Sequence, residues 1–419
     1  MIIKRDVYLK KIISKMNNGL VKIITGIRRC GKSFLLNNIF YSYLISIGID
    51  KSHIIQLSMD KFENEDLLDA KALYHHILNQ IKDENQYYIF IDEIQEVKDF
   101  FKTLNSLMQY KNIDLYVTGS NSKMLSNDIA TEFRGRGDQI HLYPLSFSEF
   151  YSAFEGVDFD IAFDRFITYG SLPFITKIED TESKIDYLKN LSKEVYLKDI
   201  ESRYQIKNKN ALTEILNYIS SNIGSLTSPL KLANYFKSNR IEDISRNTVE
   251  NYLLALEDSF LIYKSTRYDI KGKKYIASPY KYYFCDMGLR NERINFRQIE
   301  PTHIMENIIY NELKVRGYQI DVGVVEINEK NQNNTYSKKN IEIDFVANRG
   351  NNKIYIQSAF SLWDPEKISQ EKRPLNKVND SFKKVIIVRD NIELKRDENG
   401  IIIVGLKSFL VNENILEVL

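Results

Sequence analysis

The stretch Gly26-Ile27-Arg28-Arg29-Cys30-Gly31-Lys32-Ser33 constrains this chain more than any other. It has the form G-x-x-x-x-G-K-S, a phosphate-cradling loop whose meaning depends on its flanks. Before it, Leu20-Val21-Lys22-Ile23-Ile24-Thr25 is a β-branched run that reads as a buried strand. After it, Phe34, Leu35, Leu36, Ile39, Phe40, Tyr43 and Leu44 predict a helix apolar nearly all round, hence a buried one. Strand, glycine loop and helix in that order bring backbone N–H groups and a helix N-terminus onto one anion. Gly26 and Gly31 permit positive φ and close backbone approach. Lys32 reaches the β- and γ-phosphates of a nucleotide, and Ser33 offers a hydroxyl to Mg²⁺. The expected nucleotide-binding residues are Gly26, Ile27, Arg28, Arg29, Cys30, Gly31, Lys32, Ser33 and Phe34.

A second stretch fits the first. Tyr87-Tyr88-Ile89-Phe90-Ile91-Asp92-Glu93 is an apolar strand ending in two carboxylates. Strand ends of a parallel sheet meet the ligand crevice, so these acids belong beside the loop. Asp92 suits the holding of Mg²⁺ through a water, and Glu93 suits the orientation and deprotonation of an attacking water. Two acids favour hydrolysis over a kinase-like transfer. A third strand, Ile113-Asp114-Leu115-Tyr116-Val117-Thr118, ends in Gly119-Ser120-Asn121-Ser122. Thr118 or Asn121 there would sense the γ-phosphate and hold the water; a plain helix N-cap cluster is the alternative. With Ile54-Ile55-Gln56-Leu57 as another strand and helices near 66–82 and 96–109, the pattern is three-layer α/β with a parallel sheet.

At 419 residues the chain has material for two or three domains. Its net charge of +2 advertises neither nucleic acid nor membrane. Two cysteines, one inside the loop, imply neither a disulfide framework nor a metal cluster. No apolar run is long enough to cross a membrane and no signal core opens the chain, so the expected location is cytoplasmic.

Further along, helices predicted at 208–222, 229–237 and 245–256 precede a hairpin of 260–266 and 280–284, a winged-helix pattern. Between Lys264 and Lys281 lie six basic residues (Lys264, Arg267, Lys271, Lys273, Lys274, Lys281), one acid, Asp269, and interleaved Tyr268, Tyr275 and Tyr280. Such a wing neutralises phosphates of duplex DNA, or docks a protein, or is simply a solvated face. After it come a helix over 302–316 with Glu306 and Glu312, a strand at 318–321, and an Asn- and Lys-rich tract, 328–340, read as a hairpin tip. Alternating strands at 341–346 and 353–359 follow, then a strand at 384–388 and a closing run at 401–404.

Four blocks in this order carry a resemblance: Gly-Ile-Arg-Arg-Cys-Gly-Lys-Ser, Ile-Phe-Ile-Asp-Glu-Ile-Gln, Thr-Gly-Ser-Asn-Ser, and Tyr-Pro-Leu-Ser-Phe-Ser-Glu-Phe at 143–150. Together they resemble a prokaryotic AAA-type ATP-binding protein family that carries a C-terminal nuclease-like domain of unknown function. The resemblance implies a Mg²⁺-dependent ATPase with a P-loop core at 1–145 and a helical lid at 146–207. It implies a winged helix at 208–285 and a restriction-endonuclease-like α/β domain at 286–419. It also implies an arginine, Arg134 or Arg136, reaching a transferring phosphate across a subunit boundary of a homo-oligomer, and a base contact by Pro173 in Tyr169-Gly170-Ser171-Leu172-Pro173. Nucleases of the resembling kind use a helix Glu, a strand Asp and a Glu-x-Lys on the next strand. Here Glu306 and Asp344 fill the first two places, whereas Gln357-Ser358-Ala359 stands in the third, so no nuclease chemistry is expected. The expected function is ATP hydrolysis switching a nucleic-acid- or protein-engaging lid. A non-hydrolysing nucleotide-gated scaffold and an ATP-gated nuclease are the rivals.

Overall fold

The computed structural model describes residues 2–119, 135–297, 300–330, 336–361 and 364–418. It divides into two compact units. The first comprises Met1–Pro144 with Leu172–Phe174 and Asp258–Phe260. Its five strands are β1 (Val21–Thr25), β2 (Ile54–Ser58), β3 (Tyr87–Asp92), β4 (Ile113–Gly119) and β5 (Gly137–His141), in the order β2-β3-β4-β1-β5. All four pairings are parallel. β1, β3 and β4 are buried along their whole length, the signature of strands covered on both faces. On one face, Val21, Ile23, Ile89, Ile91, Leu115 and Val117 pack with the helices Ala70–Leu78 and Phe100–Leu107. On the other, Phe40, Phe90 and Tyr116 form an aromatic triangle with centroids 4.8–5.5 Å apart.

The chain after the glycine loop is helical from Lys32 to Ser46, with a π-helical segment, Leu35–Phe40, in the middle. Leu35, Leu36, Phe40 and Leu44 are buried, but Phe34 is 41% exposed. The expected all-round burial therefore fails at the first turn, where the helix meets the open end of the loop.

One charge sits inside the sheet. Lys22 of β1 is fully buried and paired with Asp114 of β4, which also accepts from the Tyr116 hydroxyl at 2.6 Å and the Asn17 N–H at 2.9 Å. Burial pulls the Lys22 ammonium down, and Asp114 opposes that.

The second unit comprises Leu145–Ser171, Ile175–Glu257 and Leu261–Leu419. Helices Phe147–Tyr151, Phe159–Tyr169 and Thr181–Asn190 lead to three more, Lys209–Ser221, Pro229–Ser238 and Arg246–Asp258. A Ser146–Glu149 capping box starts the first. The hairpin β6 (Ile262–Asp269) and β7 (Lys274–Phe284) follows, and Thr227 bridges β7 at Tyr280. The remaining strands are β8 (Gln319–Lys330), β9 (Tyr336–Arg349), β10 (Asn352–Ala359), β11 (Lys383–Val388), β12 (Lys395–Arg396) and β13 (Ile402–Gly405). They join the hairpin in one sheet, β12-β13-β11-β10-β9-β8-β6-β7. β6 pairs β8 through Arg267, Tyr268 and Asp269, so no border at 285 divides this sheet. The Asn- and Lys-rich tract is mostly ladder rather than tip: Asn328, Glu329 and Lys330 pair with Lys338, Ser337 and Tyr336, and 331–335 lie outside the described residues. Among the described residues no helix is long and apolar enough to cross a membrane.

Breaking the Lys22–Asp114 pair leaves a buried ammonium uncompensated. Asp114→Ala should lower unfolding stability by about 3–5 kcal/mol near neutral pH. Burial without that partner disfavours the charged form of Lys22 in the folded variant, so the deficit should shrink as pH rises toward the ordinary lysine range, about 10. Urea unfolding of parent and variant at two pH values measures both, and a deficit independent of pH would contradict the assignment.

Candidate functional site

Two glycines shape the loop after β1 for different reasons. Gly26 has φ 145°, and a Cβ there would lie 2.1 Å from the Leu142 carbonyl oxygen. Gly31, with φ 102° and ψ 22°, caps the helix that begins at Lys32 in a conformation L-residues avoid. Arg29 also has positive φ, 66°, which is strained for a non-glycine residue. Lys32 is 4% exposed, and its Nζ donates to the carbonyl oxygens of Gly26 and Ile27 at 3.1 and 3.3 Å. Ile27 and Cys30 point inward, Arg28 is half-buried, and Arg29, Ser33 and Phe34 face outward. Pro173, in the same unit, has its Cγ 3.7 Å from where a Gly31 Cβ would stand. Beneath the loop lies a residue that the sequence did not single out. Arg5 is 4% exposed and donates to the Tyr143 carbonyl at 2.6 Å and to the Cys30 carbonyl at 3.4 Å.

β4 is inserted between β1 and β3, so its end lies between the glycine loop and the acids. Thr118, fully buried, donates its hydroxyl to Asp92 Oδ1 and accepts the Glu93 N–H at 2.9 Å. Ser33 also hydrogen-bonds Asp92, which links the loop to the strand end. Burial pushes the Asp92 carboxyl up; the Ser33 and Thr118 bonds resist, and the neighbouring Glu93 adds to the push. Glu93 is half-buried with left-handed backbone, φ 50° and ψ 49°. Gln95 Nε2 donates to Glu93 Oε2, and the buried Gln95 Oε1 has no partner among the described residues. The signal for Gln95 was only its place two residues past Glu93.

The structure thus brings together Gly26, Gly31, Lys32, Ser33, Asp92, Glu93, Thr118 and Pro173. Arg136 is not among them. It precedes β5, its carbonyl accepts the Val21 N–H at the start of β1, and it is exposed at the end of the strands away from the loop. Asn121 and Arg134 lie outside the described residues.

A second group of acids gathers in the other unit. Glu306, from helix Pro301–Val315, accepts from Lys281 Nζ at 2.9 Å and from the Tyr283 hydroxyl at 2.7 Å. Lys281 also meets Glu342 at 2.6 Å and Asp344 at 3.9 Å. Asp344 accepts the Ser358 N–H at 2.8 Å, and its own N–H reaches the Gln357 side-chain oxygen at 3.4 Å. Burial pushes the Asp344 carboxyl well up, and Glu306 pushes further, against Lys281. Burial alone would pull the Lys281 ammonium down, but Glu306, Asp344 and Glu342 together carry it well above its ordinary value. Lys281 is thus 4% exposed, not part of a charged wing surface. Lys264 is also engaged, with Glu257 at 3.4 Å, whereas Lys271, Lys273, Lys274 and Tyr275 are exposed. Among the described residues no three His, Cys, Asp or Glu side chains are grouped to hold a metal ion.

A family model described as AAA domain matches residues 18–151, and one described as Domain of unknown function (DUF8612) matches 161–300. An uncharacterized protein of Haemophilus influenzae is 34% identical over 391 residues, 92% of this chain and 93% of that one. The uncharacterized protein MJ1544 of Methanocaldococcus jannaschii is 30% identical over 410 residues, 94% of this chain and 84% of that one. Among solved structures, the Aeropyrum pernix ORC1 protein in complex with DNA aligns at 10% identity, over 70% of this chain and 93% of that one. Its TM-score of 0.32 is too low to add to the site.

The raised Asp92 carboxyl has a sign that can be tested. A group whose folded value lies above its unfolded one favours folding while protonated, and that contribution is lost as pH rises through the folded value. Asp92→Asn mimics the protonated form, so it should melt above the parent near neutral pH. The gap should close as pH falls into the ordinary carboxyl range. A variant that melts below the parent at neutral pH would contradict this.

Proposed function

We propose, from the premise that this chain belongs to a family of AAA-domain proteins with Haemophilus and Methanocaldococcus members, that it hydrolyses ATP with Mg²⁺. The observation that carries the proposal is the Thr118 hydroxyl, which links the Asp92 carboxylate to the Glu93 backbone N–H beside the glycine loop. Backbone N–H groups of residues 26–33 cradle the phosphates, and Lys32 leaves the Gly26 and Ile27 carbonyls for the β- and γ-phosphates. Ser33 and Asp92 suit a hard divalent ion, since both offer oxygen and already touch one another. Held by Ser33 and Asp92, a Mg²⁺ ion would neutralise phosphate charge and favour the ionised form of the Asp92 carboxyl. Glu93 takes the proton of the attacking water, with Thr118 positioning it through the backbone. Pro173 borders the loop where it meets the rest of the nucleotide. Arg136 sits at the end of the strands away from its own glycine loop, so a role on phosphate belongs to a neighbouring subunit's site. Asn121 and Arg134 stay candidates for the water and the transferring phosphate. A second reading, a nucleotide-gated switch without turnover, draws on the Gln95 bond that holds the Glu93 carboxylate.

Turnover separates the two. Lys32→Ala should abolish tight ATP binding, and Glu93→Gln should keep binding but lower phosphate release by about 10²–10⁴-fold. Parental turnover in Glu93→Gln would remove Glu93 as the base, and a parent that binds ATP but releases no phosphate would favour the switch.

For a partner we propose duplex DNA, contacted at the tip of the β6–β7 hairpin, where three helices precede a wing-like turn. Exposed Lys271, Lys273 and Lys274 flank the exposed ring of Tyr275, which is 67% accessible. Replacing the three lysines with Ala should weaken DNA binding and flatten its log–log salt dependence by ~2–3. A parent with no DNA affinity at low salt would assign the hairpin to protein docking.

A further inference from the structure

Three carboxylates of the second unit converge on one nitrogen. Glu306 comes from a helix, Glu342 and Asp344 from one face of β9, and Lys281 from β7. The Lys281 Nζ lies 2.6 Å from Glu342, 2.9 Å from Glu306 and 3.9 Å from Asp344. The Tyr283 hydroxyl donates to the same Glu306 Oε1 that Lys281 meets, and the Ser358 N–H donates to the other oxygen of Asp344, Oδ2. Gly224 closes the approach to Glu306, since a Cβ there would stand 3.2 Å from Oε1.

A nuclease-like α/β domain implies a divalent ion among such acids, bound by oxygens at roughly 2.0–2.6 Å around an open centre. Here the centre is not open. An ammonium whose side chain is 5% exposed stands where the oxygens converge, within hydrogen-bond reach of Glu342 and Glu306 and 3.9 Å from Asp344. On β10, Gln357 turns a neutral amide oxygen to the Asp344 N–H, and Ala359 has no amine.

We propose that Lys281 is a tethered internal cation that fills the divalent-ion position of the Glu306, Glu342 and Asp344 cluster. The domain therefore keeps a hydrolase-like set of acids as a structural knot, takes up no metal there and cleaves no phosphodiester. An ammonium balances charge and donates three N–H bonds, but it is no Lewis acid and cannot generate a metal-bound hydroxide. This assignment is independent of the ATPase reading, because every residue in it belongs to the second unit.

The experiment uses the full chain without nucleotide, in EDTA and in MnCl₂, and reads Mn²⁺ uptake by calorimetry and melting temperature. The parent should melt alike in both and take up no Mn²⁺ that Asp344→Asn removes. Lys281→Met keeps the length of the side chain and deletes its charge. It should melt about 10 °C lower in EDTA and recover in MnCl₂, with recovery lost when Glu306→Gln is added. Mn²⁺ uptake by the parent that Asp344→Asn abolishes would overturn the assignment. So would Mn²⁺-dependent cutting of linear, nicked or single-stranded DNA that the same variant abolishes, or a folded Lys281→Met that gains nothing from Mn²⁺. If Lys281→Met does not fold, the comparison of parent with Asp344→Asn decides.

Discussion

The hydroxyl of Thr118 is the point on which the geometry of the first unit's candidate site turns. It has one proton, given to Asp92, and it uses a lone pair for the Glu93 N–H. Glu93 needs that restraint, because left-handed backbone at a non-glycine residue costs on the order of 1–3 kcal/mol. Strain of this kind persists only where the surroundings over-determine it. Parallel register supplies the surroundings: Thr118 stands opposite Ile24 of β1, and Val117 opposite Ile91 of β3. A strand inserted between the glycine loop and the acids thus does more than widen the sheet. It provides a side chain that ties the Asp92 carboxylate to the backbone of Glu93.

What the sequence revealed of this arrangement follows from how parallel sheets are built. β1, β3 and β4 are short apolar runs because both their faces are covered, β2 at the edge keeps the run but for Gln56, and such runs stand out against the polar helix surfaces. β5 escaped, since Gly137-Asp138-Gln139-Ile140-His141 lies at the edge and buries fully only Ile140. The loop and its acids were legible through spacing alone. The bonds among them were not, because no pattern of types distinguishes a threonine that faces a phosphate from one that ties an acid to its neighbour's backbone N–H. Gln95 is the sharper case: an amide two residues past a carboxylate says nothing until the backbone turns left-handed between them.

Charge was the least legible property. Lys22 interrupts an otherwise apolar strand and reads as a blemish, yet it is satisfied by Asp114, by the Leu20 carbonyl at 2.9 Å and by Asn18 at 3.2 Å. Asp286 reads as a border residue. It is buried, accepts the Ser171 N–H at 2.6 Å, and leaves so little room that a Cβ on Gly170 would stand 2.1 Å from it. In both cases a polar group was taken from water and rebonded completely, the condition under which burial of charge is tolerated.

Lys281 extends this argument from stability to function. In sequence it closes a run of basic residues, and a basic run is read as one surface. On a strand, residues two apart share a face, so Lys281 points with Tyr283, and the register irregularity between the Ser265 and Arg267 pairings breaks that alternation before the exposed residues nearer the turn. Tyr283 stacks on Tyr310 at 4.2 Å, one helical turn beyond Glu306 on the same helix, which carries Lys281 inward to that acid. The missing lysine of the Glu-x-Lys pattern at Ala359 is therefore not replaced in function by one arriving from β7. A lysine that assists a metal-bound water must stand beside the ion, whereas this one is bonded to Glu306 and Glu342 and draws Asp344 toward it. Position at the centre, rather than presence nearby, decides between a catalytic cation and a structural one.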